Sequence, residues 1–263
     1  MYKQNISLGG KEVELLSTLE HDGKSVFSFV DALSILKGTN RQVVRNMLSR
    51  LVKKRRVERI KKGLYLLIPF KQKLWGQHEF AVVPFFAKEY YVSFWSALRF
   101  WNLTEQLPRK VFTAVKTPVK NRFFQNLEFQ FITLSPRYFF GFTAIEVENT
   151  KVNVATKEKA ILDCLLHPEY CGGIGEVAKA IKFYWKEIDW KEMKKHLAKM
   201  KNSAVERRLF YCLNFLKLKN TLKNLGKKEF SGFRLLDPSA AKKGHYVKKF
   251  GLQLNVDLSE ELK

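Results

Sequence analysis

Acidic residues are the scarcest resource of this 263-residue chain: 25 Asp and Glu stand against 48 Lys and Arg, leaving a net charge of +23 and a pI near 9.9. Such a surplus cannot be neutralised internally, so a polyanion is expected outside the chain. Nucleic acid is the first candidate, an acidic membrane surface the second and an acidic protein the third. Long apolar runs are also missing. The longest, "FAVVPFFA" at 80–87, has eight residues and includes Pro84, whereas a helical membrane span needs about 20. The opening "MYKQNISLGGKEVELL" has no apolar core of signal-peptide type. Three cysteines, Cys164, Cys171 and Cys212, are too few for a disulfide framework. Together these absences predict a reduced, cytoplasmic setting. No repeat of solenoid spacing occurs, and neither G-x-S-x-G nor H-E-x-x-H is present. At 46% hydrophobic, the chain still has enough apolar material for one large core or two unequal ones.

The charge is not spread evenly. Residues 39–63, "TNRQVVRNMLSRLVKKRRVERIKKG", hold ten Lys or Arg and a single acid, Glu58. Two short helices are predicted ahead of this stretch. The first covers 11–20, with Val13, Leu15, Leu16 and Leu19 at helical spacing. The second covers 28–38, with Ser28 as N-cap, Asp31 completing a capping box and Gly38 as terminator. Thr39 is then expected to cap a third helix, in which Val44, Met47, Leu48 and Leu51 repeat at i, i+3, i+4 and i+7 and so mark a buried face. The opposite face carries Arg41, Gln42, Arg45, Asn46, Ser49 and Lys53, side chains able to hydrogen-bond base edges or phosphates. "VERIKKGLYLLIP" alternates on both sides of a Lys-Lys-Gly turn, the pattern of a hairpin with cations at its tip. Three helices followed by a basic hairpin predict a winged helix-turn-helix over 1–70. The candidate DNA-binding residues are Thr39, Asn40, Arg41, Gln42, Arg45, Asn46, Ser49, Arg50, Lys53, Lys54, Arg59, Lys61 and Lys62. Of these, Arg41, Gln42, Arg45, Asn46 and Ser49 are expected in the major groove. Arg50, Lys53, Lys54, Arg59, Lys61 and Lys62 are expected mainly on phosphates.

Pro69 and Lys71–Lys73 read as a domain boundary, with a larger α+β domain over 75–263. Within it a helix capped by Ser93 is expected across 90–108. Its six aromatics between Tyr90 and Trp101 suit a core stripe better than a base-stacking platform. Strands are predicted between Val111 and Val154. Helices follow over 156–220: one capped by Thr156, one after the loop "GGIGE" at 172–176, and two with capping boxes at Asp189/Glu192 and Ser203/Glu206. A closing strand is expected at 250–256.

Candidate chemistry is sparse, and no catalytic residue, metal or cofactor is expected. Cys164, His167 and Cys171 have only loose metal-ligand spacing and read as buried residues rather than a zinc site. "GGIG" lacks the Lys-Ser/Thr of a phosphate cradle. Glu146, Glu148 and Lys151, with Glu158 and Asp163 on the next helix, form the alternative: a magnesium-dependent nuclease. A second alternative is an RNA- or protein-binding module built on the basic C-terminal part.

Several passages resemble the AbiEi-type antitoxins of AbiE toxin–antitoxin systems: "GLYLL" at 63–67, "YYVSFWSAL" at 90–98, "VATKEKAILDCL" at 154–165, and "RLLDP" with "FGLQLNV" at 234–256. They run in the expected order over most of the chain. The resemblance implies a winged helix that binds double-stranded operator DNA and represses its own operon. It also implies a C-terminal domain that antagonises a nucleotidyltransferase-like toxin without a stable complex, and no enzymatic activity. The strongly basic C-terminal part departs from that pattern.

Overall fold

The computed structural model describes residues 7–68, 79–124, 127–147, 150–225 and 229–262. The fold is of the mixed α+β class. Two compact units are present, residues 1–86 with 146–152 and residues 87–145 with 153–263. The expected boundary at Pro69 and 71–73 lies outside the described residues.

In the first unit the order is α1 (Gly10–His21), β1 (Val26–Ser28), α2 (Phe29–Ile35), α3 (Arg41–Lys53), β2 (Val57–Lys61) and β3 (Leu64–Leu67). The strands form one antiparallel sheet in the order β1-β3-β2. Three faces meet in one core: Leu15, Leu16 and Leu19 from α1, Val44, Met47, Leu48 and Leu51 from α3, and Phe27, Val57, Tyr65 and Leu67 from the strands. At roughly 1.5–3 kcal/mol per buried large aliphatic side chain, the α3 stripe is a main source of this unit's cohesion. Ser28 caps α2 as its sequence predicts: its hydroxyl accepts from Asp31 N, and the Asp31 carboxylate accepts from Ser28 N.

Four details differ from the sequence reading. Strand β1 was not anticipated, because a three-residue Val-Phe-Ser run is too short to show alternation. Val13 is half exposed, turned away from the core that takes its three neighbours. Helix α2 ends at Ile35, ahead of Gly38. The N-cap of α3 is Asn40, not Thr39: Asn40 Oδ1 accepts from Gln42 N at 2.7 Å. The Thr39 hydroxyl instead accepts from Lys11 Nζ at 2.9 Å and ties the turn to α1.

The second unit is built on β4 (Tyr90–Val92), α4 (Phe94–Phe100), β5 (Lys110–Val115), β6 (Arg122–Phe124), β7 (Leu127–Thr133), β8 (Phe142–Val147) and β9 (Thr150–Ala155), of which residues 146–152 are counted with the first unit. The strands form a six-stranded sheet ordered β6-β7-β5-β4-β9-β8. It is mixed: β5 pairs parallel with β7 and antiparallel with β4. Then come α5 (Lys157–Leu166), α6 (Ile174–Tyr184), α7 (Trp190–Met200), α8 (Ser203–Phe215) and α9 (Lys219–Leu225). Helix α5 packs against α4, α6, α7 and α8 and is buried from Glu158 to Leu165. A small sheet in the order β10-β12-β11 follows: β10 (Arg234–Leu235), β11 (His245–Val247) and β12 (Leu252–Leu254), with α10 (Leu258–Glu261) last.

Here too the expected helix over 90–108 is shorter. Tyr90–Val92 is a strand and α4 stops at Phe100. Thr156 caps α5 as predicted, accepting from Lys159 N. Asp189 caps α7 through Lys191 N and Glu192 N. The cap of α8, however, is Asn202 rather than Ser203, since Asn202 Oδ1 accepts from Ala204 N and Val205 N. The glycines of "GGIG" have a packing reason. Gly172 and Gly173 adopt φ of +80° and +95°, which L side chains resist. The turn they make carries Ile174 N to the buried Asp237 carboxylate at 2.7 Å.

Candidate nucleic-acid interface

Helix α3 separates a core face from a polar one, with Val43 the apolar residue left half exposed among those described. Val44, Met47, Leu48 and Leu51 are in the core, while Asn40, Arg41, Gln42, Arg45, Asn46, Ser49, Arg50 and Lys53 are exposed. Asn40 is held by its capping bond, and Gln42 Nε2 donates to Asn46 Oδ1 at 3.1 Å, one turn on. The Ser49 hydroxyl turns back to the Arg45 carbonyl at 3.0 Å. Arg41 and Arg45 share a support. Both guanidinium groups lie over the ring of Phe29, the first residue of α2, at 5.7 and 5.5 Å from its centroid. Cation–π contact of this kind restricts two long side chains to one side of the helix. Arg41 also lies in the first turn of α3, which contains no acidic residue. A cation there opposes the helix dipole by about 0.3–1 kcal/mol, so the end of α3 is a concentrated positive pole.

Not every predicted cation is free to face outward. Glu12 on α1 is buried, and its carboxylate takes the Gly9 amide at 3.0 Å, Lys54 Nζ at 2.6 Å and Arg50 Nε at 3.4 Å. Burial raises its pKa, but the Lys54 hydrogen bond, the Gly9 amide and Arg50 outweigh that and hold it below the usual glutamate range. Lys54 Nζ also donates to the Ser7 carbonyl at 2.9 Å. Lys54 is therefore a strut between α1 and the end of α3. Arg50 is joined to the same carboxylate but keeps more than half of its side chain in solvent. Neither tie was visible in the sequence, because they join positions 38 and 42 residues apart.

The hairpin tip carries Arg59, Lys61 and Lys62, all exposed. The β2–β3 register shifts between Arg59 and Lys61. The irregularity lets Ile60 stay buried while both flanking cations face out. Lys61 Nζ reaches the Phe85 carbonyl at 3.0 Å, and Gly63 closes the turn at φ +77°.

The residues considered for a nuclease are placed differently. Glu146 and Lys151 are exposed on β8 and β9, and Glu148 lies outside the described residues. Glu158 is buried, accepting from Asp189 N at 2.9 Å. Asp163 is fully enclosed with Lys159, Tyr91 and Ser93. Its carboxylate pairs with Lys159 Nζ and accepts from Ser93 Oγ at 2.7 Å and Tyr91 OH at 3.1 Å, while Lys159 Nζ also reaches Tyr91 OH at 2.8 Å. Burial drives the Tyr91 phenol up and the Lys159 ammonium down from their ordinary values. With Asp163 and Glu158 engaged in these internal bonds, they hold the fold rather than face a substrate. Most of the aromatic run 90–101 is likewise enclosed, with Tyr90, Tyr91 and Phe94 buried. Among the described residues no group of three His, Cys, Asp or Glu is placed to hold a metal ion. The Cys171 thiol donates to the Pro168 carbonyl at 3.3 Å, and burial pushes the Cys212 thiol up to about 12. Among the described residues no helix is long and apolar enough to cross a membrane.

Comparison with known proteins gives a fold and no family. No family model and no curated protein matches the chain. Among solved structures, the crystal structure of RV2827C protein from Mycobacterium tuberculosis is similar, with a TM-score of 0.68 over 94% of this chain and 92% of that one, at 12% identity. At that identity the likeness concerns the fold alone.

Proposed function

We propose that the first unit is a winged helix-turn-helix that binds duplex DNA, and that the protein is a transcriptional repressor and antitoxin acting on its own operon. The observation that carries the reading is the exposed face of α3. Arg41, Gln42, Arg45 and Asn46 stand together on it, two of them braced on Phe29, with Arg59, Lys61 and Lys62 at the hairpin tip. Arg45 and Asn46 have the donor and acceptor patterns that read guanine and adenine edges. Lys53, Arg50 and the hairpin cations suit phosphate oxygens, which set register. Lys54 is assigned the strut role instead. The antitoxin half of the proposal rests on the resemblance to AbiEi-type proteins, which implies antagonism of a nucleotidyltransferase-like toxin.

A gel shift with the DNA upstream of the protein's own gene, against a scrambled duplex of equal length, tests the repressor reading. Specific retardation is expected. Arg45→Ala should cost roughly 1–3 kcal/mol and relax preference at one base pair, whereas Lys62→Ala should weaken all sequences alike. Phe29→Leu keeps apolar bulk but removes the ring, and should lower specific affinity without unfolding the unit. Equal binding to scrambled DNA removes the proposal. Co-expression with the neighbouring toxin gene, scored by growth, tests the antitoxin half.

A further inference from the structure

The second unit has its own exposed aromatic site, away from the run that the sequence singled out. Phe233 is 40% exposed and Tyr246 60% exposed, and their rings meet at 4.8 Å between centroids with planes inclined at 64°. Scattered single aromatics on a surface need no explanation. Two in contact, left in water, are different. The tilted pairing braces each ring with the other while leaving ring surface open. The small sheet explains how they meet. Tyr246 pairs with Gln253, and Gln253 pairs with Leu235. Phe233 immediately precedes β10, and its ring comes against that of Tyr246 on β11. Gly244, just ahead of β11, has φ +150°, and a Cβ there would collide with the Leu254 carbonyl. That close approach holds the loop carrying Lys242 and Lys243 against β12, where Gln253 Nε2 donates to the Lys242 carbonyl at 3.3 Å.

The segment that carries the pair is mostly of one sign, with Glu229 and Asp257 at its two ends. Residues 230–256 contain five Lys or Arg and one acid, Asp237. Asp237 is buried and spent on Ile174 N and on the Ser239 amide and hydroxyl. Lys249 is occupied by Asn214 Oδ1 at 3.0 Å, whereas Arg234, Lys242, Lys243 and Lys248 are exposed. Open aromatic faces on a cation-rich segment suit a ligand with planar rings on an anionic backbone. Unpaired bases stack on such rings, and their phosphates pair with nearby cations. A duplex hides its base faces and an acidic peptide has no obligatory rings, so neither uses the platform.

We infer that Phe233 and Tyr246, together with the exposed Lys242, Lys243 and Lys248 of the same segment, form a binding platform for single-stranded nucleic acid. The site is independent of the α3 face and stands whether or not that face binds duplex DNA. Fluorescence anisotropy on the full-length protein tests it, with fluorescein-labelled 12-mers of oligo-uridylate and oligo-thymidylate, a 12-base-pair duplex, and polyglutamate as competitor. Tyr246→Ala and Phe233→Ala should each weaken single-strand binding tenfold or more. Tyr246→Phe should retain it within about twofold, which separates stacking from misfolding. Lys242→Ala with Lys243→Ala should weaken it and flatten its salt dependence. Arg45→Ala should leave it unchanged while impairing the duplex, so failure of one site is distinguishable from failure of the other. Preference for the uridylate or the thymidylate strand tells RNA from DNA, and either result supports the site. Single-strand affinity unaffected by both alanine substitutions, or equal displacement by polyglutamate, overturns it.

Discussion

Asp163 shows how far a single residue's role depends on its surroundings. In the sequence it is a carboxylate near other carboxylates, open to a catalytic reading. In the fold it is the centre of a closed group with Lys159, Tyr91 and Ser93, all without solvent contact. Enclosing two charges is costly, and the pairing only offsets that cost. The two halves should therefore behave asymmetrically. Asp163→Ala leaves the Lys159 ammonium buried without its counter-charge, and should destabilise the protein by about 3–5 kcal/mol. Lys159→Met combined with Asp163→Leu removes both charges and should recover most of that loss. Urea denaturation of the two variants measures the difference. Equal destabilisation by the single and double changes would show that the pair's charges are not what the site requires. The same neighbourhood explains Ser93. Its hydroxyl makes no capping bond to α4, because it is given to Asp163.

At the scale of elements, α2 is held by the reciprocal bonds of Ser28 and Asp31, with Lys24 at 2.7 Å from the same carboxylate. Burial pushes Asp31 up, but Lys24 and the two Ser28 bonds prevail and bring it down to about 2 from 3.8. A depressed carboxylate stabilises the folded state fully above its unfolded value and loses that contribution as pH falls toward the folded one. Ser28→Ala should cost about 1 kcal/mol at neutral pH. The stability gap between the protein and Asp31→Asn should be constant above about pH 5 and close between roughly pH 4 and 2. Denaturation curves at stepped pH follow it, and a gap unchanged down to pH 2 would contradict the assignment. Ser28, Asp31, Thr156 and Asp189 were legible because a cap is a local signal, written within four residues. So was the α3 stripe, with its 3.6-residue period. What the sequence hid was non-local or too short. Strands β1, β4 and β6 have three residues each, the Glu12 strut joins positions 42 apart, and the Phe29 support for Arg41 and Arg45 crosses from one helix to the next. The Phe233–Tyr246 pair was equally hidden, since Phe233 precedes β10 and Tyr246 is on β11, beyond a loop. Asn40 and Asn202 took the caps expected of Thr39 and Ser203. At both sites the adjacent asparagine places its carbonyl oxygen two residues ahead, within reach of the first free amides.

For the whole molecule, the governing quantity is a net charge of +23, and salt is the lever that reads it. The proposed duplex face exposes Arg41, Arg45, Arg50, Lys53, Arg59, Lys61 and Lys62. If each neutralises one phosphate, the slope of log affinity against log salt is roughly −6, since each released counterion contributes about −0.9. Raising salt from 50 to 200 mM should then weaken specific binding about a thousandfold or more. Lys54 is excluded from that count, because its ammonium is already paired with Glu12. Lys62→Ala should accordingly reduce the slope by about one, and Lys54→Ala should leave the slope alone while lowering thermal stability through loss of the α1–α3 strut. Anisotropy titrations of the operator duplex at four or five salt concentrations, run in parallel on both variants, distinguish the two lysines. A slope near zero would mean that the exposed face of α3 does not meet a phosphate backbone. An equal change of slope in the two variants would mean that the Glu12 pairing gives way when DNA arrives.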